Sequence, residues 1–125
     1  MVRFAIALVL NCIVFSDVRA ETAQELYVMC DGITLESNGS VSLPKTMEAG
    51  RCYGFFEAMV RSFSLVDANG VPSLRRCIPQ NFTAYQLIEI FRQKVESHPR
   101  DANQDSYFFA LNSGAKQFKC EQNEV

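Results

Sequence analysis

Between residues 46 and 66 the apolar side chains recur every three or four positions, the spacing that places them on one face of an α-helix. The members of this stripe are Cys52, Phe55, Phe56, Met59, Val60 and Phe63. The opposite face carries Gly54 and Ala58, and a glycine inside a helix costs about 1 kcal/mol relative to alanine. We therefore predict a core-facing helix that ends at the turn-forming residues 67–72, with a second backbone packed closely against Gly54 and Ala58.

Two further helices are marked by capping boxes, in which a threonine precedes a glutamate or glutamine by three residues. One helix begins with Thr22 and Glu25, and another begins with Thr83 and Gln86. The second of these should end at residue 98, because a proline follows and disfavours helical geometry in the residue before it. Their apolar stripes are Ala23, Leu26, Cys30 and Ile33 in the first helix, and Ala84, Leu87, Ile88, Phe91 and Val95 in the second.

A fourth helix is predicted over residues 102–118, and the same geometry turns Phe109 to its outward side. An outward phenylalanine is either a partner contact or an isolated exposed residue that needs no explanation, and the sequence leaves both open. No stretch alternates long enough to predict a strand, since residues 40–43 are only a short extended piece. The predicted fold class is all-α, a small bundle of four to five helices. The inward face of the fourth helix would be Tyr107, Ala110, Leu111, Gly114 and Phe118.

Residues 1–20 have the organisation of a secretory signal peptide. Arg3 supplies a positive charge, residues 4–15 are apolar except for Asn11, and Val18 and Ala20 are the small residues of a cleavage site. This apolar run is shorter than the roughly 20 residues that a membrane-spanning helix needs. We predict cleavage after Ala20, export of the chain, and a single helical domain over residues 21–125.

Four cysteines remain after this cleavage: Cys30, Cys52, Cys77 and Cys120. An even number in an exported chain of this size predicts two disulfides, with three possible pairings. A bond between Cys52 and Cys77 would close a loop of about 25 residues and contribute about 3 kcal/mol in the chain-entropy model. We prefer this pairing, in which Cys30 and Cys120 join the first helix to the end of the last, while the other two pairings stay open.

Charge and composition argue against several functions. Residues 21–125 contain 10 basic and 13 acidic residues, with no basic stripe for nucleic acid and no polybasic patch for a membrane surface. The one histidine, His98, stands before a proline, and oxidised cysteines are not nucleophiles. Cys-x-x-Cys or paired-histidine spacing for zinc, a Gly-x-Ser-x-Gly elbow and a phosphate-binding loop are all absent from the sequence. We therefore expect no catalytic residue, no metal and no cofactor.

A set of short motifs follows in a fixed order along the chain. They are Cys30, Cys52-Tyr53-Gly54-Phe55, Cys77-Ile78-Pro79, Thr83-Ala84-Tyr85-Gln86-Leu87, His98-Pro99 and Phe118-Lys119-Cys120. Together they resemble the Rap/Tai family of periplasmic immunity proteins, which protect bacteria against peptidoglycan amidases delivered by type VI secretion. The chain departs from the family pattern at Lys119, where proline is usual, at Phe55, where tyrosine is frequent, and at Ala58, where a second glycine is common.

The resemblance implies a periplasmic, helical homodimer that occludes the active site of an amidase with a protruding loop. Residues 67–76 and the short turn at residues 100–101 are the two candidate loops, and we favour the first because it is longer. In the favoured loop Arg75 and Arg76 would meet carboxylates and Val71 would fill a pocket. The expected partner contacts are Asp67, Asn69, Val71, Arg75, Arg76 and Phe109.

The outward face with Gly54 and Ala58 would lie in the dimer contact that the resemblance implies. Two other functions remain as alternatives at this point. One is a small periplasmic chaperone that exposes apolar surface under acid stress. The other is an exported helical module that binds a different envelope protein.

Overall fold

The structure is a computed structural model that describes residues 19–74, 76–114 and 117–120. Arg75 and all but the last two residues of the predicted signal peptide lie outside these ranges. The described residues form four α-helices: α1 (Ala23–Met29), α2 (Met47–Phe63), α3 (Ala84–Ser97) and α4 (Ser106–Ser113). None of these helices is long and apolar enough to cross a membrane.

Two further elements connect the helices. A 3-10 turn, Pro99–Asp101, lies between α3 and α4, and an antiparallel hairpin of β1 (Thr34–Leu35) and β2 (Val41–Ser42) lies between α1 and α2. The all-α prediction is therefore correct only in outline. The sequence pattern did not predict the hairpin because two-residue strands are too short to show alternation. Gly39 forms its turn with a φ of 84°, a conformation that favours glycine.

The α2 helix lines the centre of the core. Thr46 caps its start by accepting a hydrogen bond from the Ala49 amide at 3.1 Å. The predicted apolar stripe is confirmed, although Phe55 and Val60 at its edges are only half-buried. The helix ends at Phe63, three residues before the predicted end. Its fully buried members are Ala49, Cys52, Phe56, Met59 and Phe63.

The α3 helix packs against α2 and agrees with the sequence pattern throughout. The Gln86 amide donates to Thr83 Oγ1 at 3.2 Å, and the Thr83 amide donates to Gln86 Oε1 at 2.9 Å, which confirms the capping box. The helix ends at Ser97, before His98 and Pro99, as predicted. Its whole predicted stripe is buried: Ala84, Leu87, Ile88, Phe91 and Val95.

The α1 helix has only seven residues, and the far end of the chain completes its first turn. The Ala23 amide donates to the Gln104 carbonyl at 2.9 Å, and the Gln24 amide donates to the Ala102 carbonyl at 2.8 Å. Such first-turn amides have no partner within their own helix. The segment that leads into α4 therefore supplies the acceptors that α1 lacks. The predicted capping box of Thr22 and Glu25 is also present.

The preferred disulfide pairing is wrong. The structure joins Cys30 to Cys52 and Cys77 to Cys120. The end of α1 packs beside the first half of α2, which brings the Cα atoms of Cys30 and Cys52 to 5.3 Å from each other. The Cys77 amide donates to the Phe118 carbonyl at 2.9 Å, so the second pair is aligned by backbone pairing. Loop-closure entropy compares only chain lengths and ignores these packing contacts.

The prediction for α4 is wrong in its bounds and in part of its inward face. Ala110, Gly114 and Phe118 are buried as predicted, whereas Tyr107 is exposed. Asp105 caps the helix by accepting from the Tyr107 and Phe108 amides, so α4 begins four residues later than predicted. Phe109 is buried against the edge of Phe91, with 5.7 Å between ring centroids, and it cannot be a partner contact. The error arose because Gly114 and Phe118, which lie beyond the helix, were used to orient it.

Candidate partner-binding site

The chain between α2 and α3 begins with a short two-stranded projection, which we call the finger loop (residues 65–73). Val66 and Pro72 form an antiparallel bridge at its base. The Ser73 amide donates to the Leu65 carbonyl at 2.8 Å, and the Asp67 amide donates to the Val71 carbonyl at 2.8 Å. Backbone pairing therefore holds the two sides of the finger loop together.

The tip of the finger loop is fixed by the side chain of Asp67. Its Oδ1 atom accepts from the Asn69 amide at 2.8 Å and from the Val71 amide at 3.0 Å. The Gly70 amide donates to the Asp67 carbonyl at 3.0 Å, and Gly70 has a φ of 76°, a conformation that favours glycine. This tip is both exposed and ordered, so it would lose little conformational freedom when a partner binds.

A second set of contacts anchors the chain that follows the finger loop. Leu74 packs against the hydrophobic core, and Arg76 pairs with Lys119 in an antiparallel bridge. The disulfide from Cys77 to Cys120 comes directly after this bridge. The finger loop therefore projects from a base that is held both by the core and by a covalent bond.

Two apolar side chains at the base of the finger loop are largely exposed. Leu65 has 61% of its surface exposed and Val66 has 58%. Neither was among the predicted partner contacts, because the sequence prediction placed both within α2. The available signal was their position, since they stand directly before the turn-forming residues 67–72. Adjacent exposed apolar residues on a projecting loop are typical of a protein contact.

The predicted contacts in this loop have different surroundings. Asp67 directs its carboxylate back into the tip, and therefore orders the loop rather than reaching outward. Asn69 is exposed at the tip, whereas Val71 and Arg76 are half-buried. Arg75 lies outside the described residues. The alternative loop, the exposed turn at residues 100–101, is part of the 3-10 turn.

The predicted close packing at Gly54 is absent from the part of the chain that the structure describes. Gly54 and Ala58 are both exposed on α2, and a Cβ atom added at Gly54 would meet no atom within 4 Å among the described residues. The expected neighbouring backbone is therefore not part of the described fold. This small-residue face of α2 is open to solvent.

Nothing in the described ranges offers a site for a metal ion, since no three His, Cys, Asp or Glu side chains group suitably there. The two disulfides fit an exported protein, because such bonds persist in oxidising compartments.

Comparison with known proteins identifies one family. The family model of the Rap1a immunity proteins matches residues 22–120, which include all four helices, the four paired cysteines and the finger loop. No curated protein and no solved structure matches the chain. Proteins of this family are generally not enzymes, and they act by binding an effector protein. The chain belongs to the Rap1a immunity protein family.

Proposed function

We propose that this protein binds a peptidoglycan amidase delivered by type VI secretion and occludes its active site in the periplasm. Family membership supports the immunity role. The finger loop is the observation that carries the proposed mode of binding. It projects from the helices, its tip is held by its own hydrogen bonds, and its base is anchored by a disulfide.

Occlusion requires shape and affinity rather than chemistry in the inhibitor. An ordered loop enters a cleft at a lower entropic cost than a loose one. Binding energy in such contacts is concentrated in a few buried anchors. Leu65 and Val66 are the best placed apolar anchors, because both are exposed at the base of the finger loop. Truncating either side chain should cost about 1–2 kcal/mol of binding free energy.

The test is a shortened variant in which residues 66–72 are replaced by an Asn-Gly dipeptide. In a two-residue hairpin turn the amide after the turn donates to the carbonyl before it, so the hydrogen bond from the Ser73 amide to the Leu65 carbonyl should be preserved. We expect native circular dichroism, intact disulfides and loss of amidase inhibition. Any amidase encoded beside this protein is the enzyme to assay, with cell lysis as a second readout.

A matched pair of point variants distinguishes a specific contribution of the finger loop to inhibition from a general effect of exposed apolar side chains. Leu65→Ser removes an exposed leucine from the finger loop, and Leu35→Ser removes one of similar exposure from the β1–β2 hairpin. Only the first variant should weaken inhibition. If the shortened variant still inhibits, the finger loop is not the occluding element.

The amidase partner itself is tested with the wild-type protein. If it binds no amidase encoded beside it and protects against none, the proposed function is wrong. Suppression of protein aggregation only at acid pH would then favour the chaperone, and capture of one different envelope protein would favour the binding module.

We also propose that residues 1–20 are a signal peptide that is removed on export. The intact mass of the exported protein should correspond to a chain that begins at Glu21 and contains two disulfides. A retained N-terminus would contradict this assignment.

A homodimer through the small-residue face of α2 is the last part of the proposal. Gly54 and Ala58 are exposed four residues apart, so a second helix could approach closely there. Gly54→Leu should abolish the dimer in light scattering while preserving the fold, because nothing in the described chain lies within 4 Å of the added Cβ. A wild-type monomer at tens of micromolar would contradict the dimer.

A further inference from the structure

A cleft of about 510 Å³ opens between the end of α1, the residues that follow it, and the last turns of α3. Tyr27, Val28 and Asp31 line one side, and Arg92 and Glu96 line the other. None of the finger loop residues takes part in it. The cleft is therefore a surface that the proposed occlusion does not use.

The one cation in the lining of this cleft is already engaged within the fold. Arg92 donates to the carbonyls of Cys30 and Ile33, and its Nη1 atom lies 2.6 Å from Glu89 Oε1. Only 18% of the Arg92 side chain is exposed. Its charge is balanced by Glu89, and its donors are directed at the backbone rather than into the cleft.

Two carboxylates at the edge of the cleft form no ion pair with a cation of the described residues. They belong to Asp31 and Glu96, which are both exposed. The Tyr27 hydroxyl donates to Glu96 Oε1 at 2.8 Å and so holds that carboxylate at the cleft. An ionised carboxylate has about four acceptor sites, so Glu96 retains capacity for a ligand.

The lining of the cleft carries two carboxylates, Asp31 and Glu96, and one guanidinium group, that of Arg92, which Glu89 already pairs. The pKa of Tyr27 is raised above its ordinary value, first by its hydrogen bond to Glu96 and then by burial. The charges of Glu96 and Asp31 raise it further, and the opposing effect of Arg92 is smaller than that of Glu96. A positive group would therefore be stabilised in this cleft.

The walls of the cleft suit a long side chain with a charged end. Val28 is 63% exposed at the rim, and the Tyr27 ring is partly buried beside it. Arginine and lysine bury their aliphatic stems along such apolar surface. An aromatic ring also attracts a cation placed over its face.

We infer that this cleft binds an arginine side chain of the effector protein, with Asp31 and Glu96 accepting from its guanidinium group. Arginine fits better than lysine because its planar donors can bond two carboxylates at once. The inference rests on the proposed function and adds to it a second contact, remote from the finger loop in sequence. Such a contact would set partner choice and speed association without entering the active site.

The first experiment measures binding of the effector by the double variant Asp31→Asn with Glu96→Gln. Glutamine keeps an oxygen that can accept from Tyr27, so the fold should be preserved. The control is Glu48→Gln with Asp101→Asn, which removes two exposed carboxylates that do not line the cleft. The cleft variant should bind about tenfold more weakly, mainly through slower association, and with a reduced salt dependence. Inhibition at saturating concentrations should remain complete.

The second experiment needs no effector. N-acetyl-arginine amide at millimolar concentrations should shift the backbone NMR signals of residues 31–34, and the uncharged isostere N-acetyl-citrulline amide should not. The cleft variant should lose the response to arginine. Equal responses to both probes, or no response to arginine, would overturn the inference.

The two experiments distinguish this inference from the proposed function. If the wild type inhibits an amidase and the cleft variant binds it as tightly as the control does, only the inference fails. If the wild type binds no amidase, the proposed function fails, and the assignment of the cleft to an effector fails with it even where the arginine probe binds.

Discussion

The two disulfides have the same chemistry and opposite surroundings. Cys30 and Cys52 have no exposed surface, and they join α1 to α2 inside the packed core. Cys77 and Cys120 are only half-buried, and they join two segments without regular secondary structure. The first bond lies where two helices already pack against each other. The second lies outside the buried core, and there it links the chain that follows the finger loop to residue 120.

Loop length and burial rank these two bonds in opposite orders. Cys30 and Cys52 are 22 residues apart in sequence, and Cys77 and Cys120 are 43 apart. In the chain-entropy model the longer loop gives the second bond an advantage of about 0.6 kcal/mol. Removing buried sulfur atoms also leaves a cavity, which costs more than that difference. We therefore expect the buried bond to contribute more to the free energy of unfolding.

The largest effect should come from Cys30→Ala combined with Cys52→Ala. The loss of loop closure costs about 3 kcal/mol, and the cavity adds about 1–2 kcal/mol. That total approaches the whole stability of a small domain. Urea unfolding followed by circular dichroism should show a greatly lowered midpoint. A smaller loss of stability than removal of the Cys77–Cys120 bond causes would reverse the ranking.

A moderate effect should come from Cys77→Ala combined with Cys120→Ala, at about 4 kcal/mol in the chain-entropy model and without a core cavity in addition. The helices should keep their circular dichroism, because their core contacts lie elsewhere. Hydrogen exchange should accelerate mainly at the Cys77 amide, which bonds to the Phe118 carbonyl, and in its neighbours. Equal acceleration throughout α2 and α3 would show that this bond supports the whole core.

The smallest effects should come from two glycine-to-alanine changes of opposite sign. A Cβ atom at Gly114 would lie 2.7 Å from the Phe118 ring, so Gly114→Ala should destabilise the fold by about 1–3 kcal/mol. Gly54→Ala meets no atom within 4 Å in the described chain and should stabilise α2 by up to about 1 kcal/mol. Thermal unfolding at low protein concentration measures both. A stabilising Gly114→Ala would show that local helix preference outweighs packing there, and a destabilising Gly54→Ala would show that Gly54 has a close neighbour.

The sequence predicted the long helices well because several signals agreed there. In α3 the capping pair of Thr83 and Gln86, the continuous apolar stripe and the proline at residue 99 all indicated the same bounds. In α2 the stripe was equally regular, and the end was displaced by three residues because Leu65 and Val66 are apolar and extend the pattern beyond the helix.

The shorter elements could not be predicted in the same way. The α4 helix has eight residues, and its inward face depends on where it begins, which the pattern around Asp105 did not reveal. The disulfide pairing follows from how α1 lies on α2, and no local pattern records that contact. In both places packing between distant segments decided the structure.

The candidate site was partly predictable for a similar reason. The turn-forming residues 67–72 located the finger loop, because Asp67 and Gly70 are typical turn residues. The exposure of Leu65 and Val66 could be recognised only from the structure, because it depends on where α2 ends. The cleft could not be predicted at all, since Asp31 and Glu96 line it from positions 65 residues apart in the sequence.

The hydrogen bonds that α1 receives from the segment before α4 affect the order in which the helices become stable during synthesis. A seven-residue helix is too short to persist alone in water. The carbonyls of Ala102 and Gln104, which accept from its first amides, are synthesised about 80 residues later. Among the described helices, the first to be synthesised is therefore one of the last to become stable, and a chain stopped before residue 102 leaves its first amides without these acceptors.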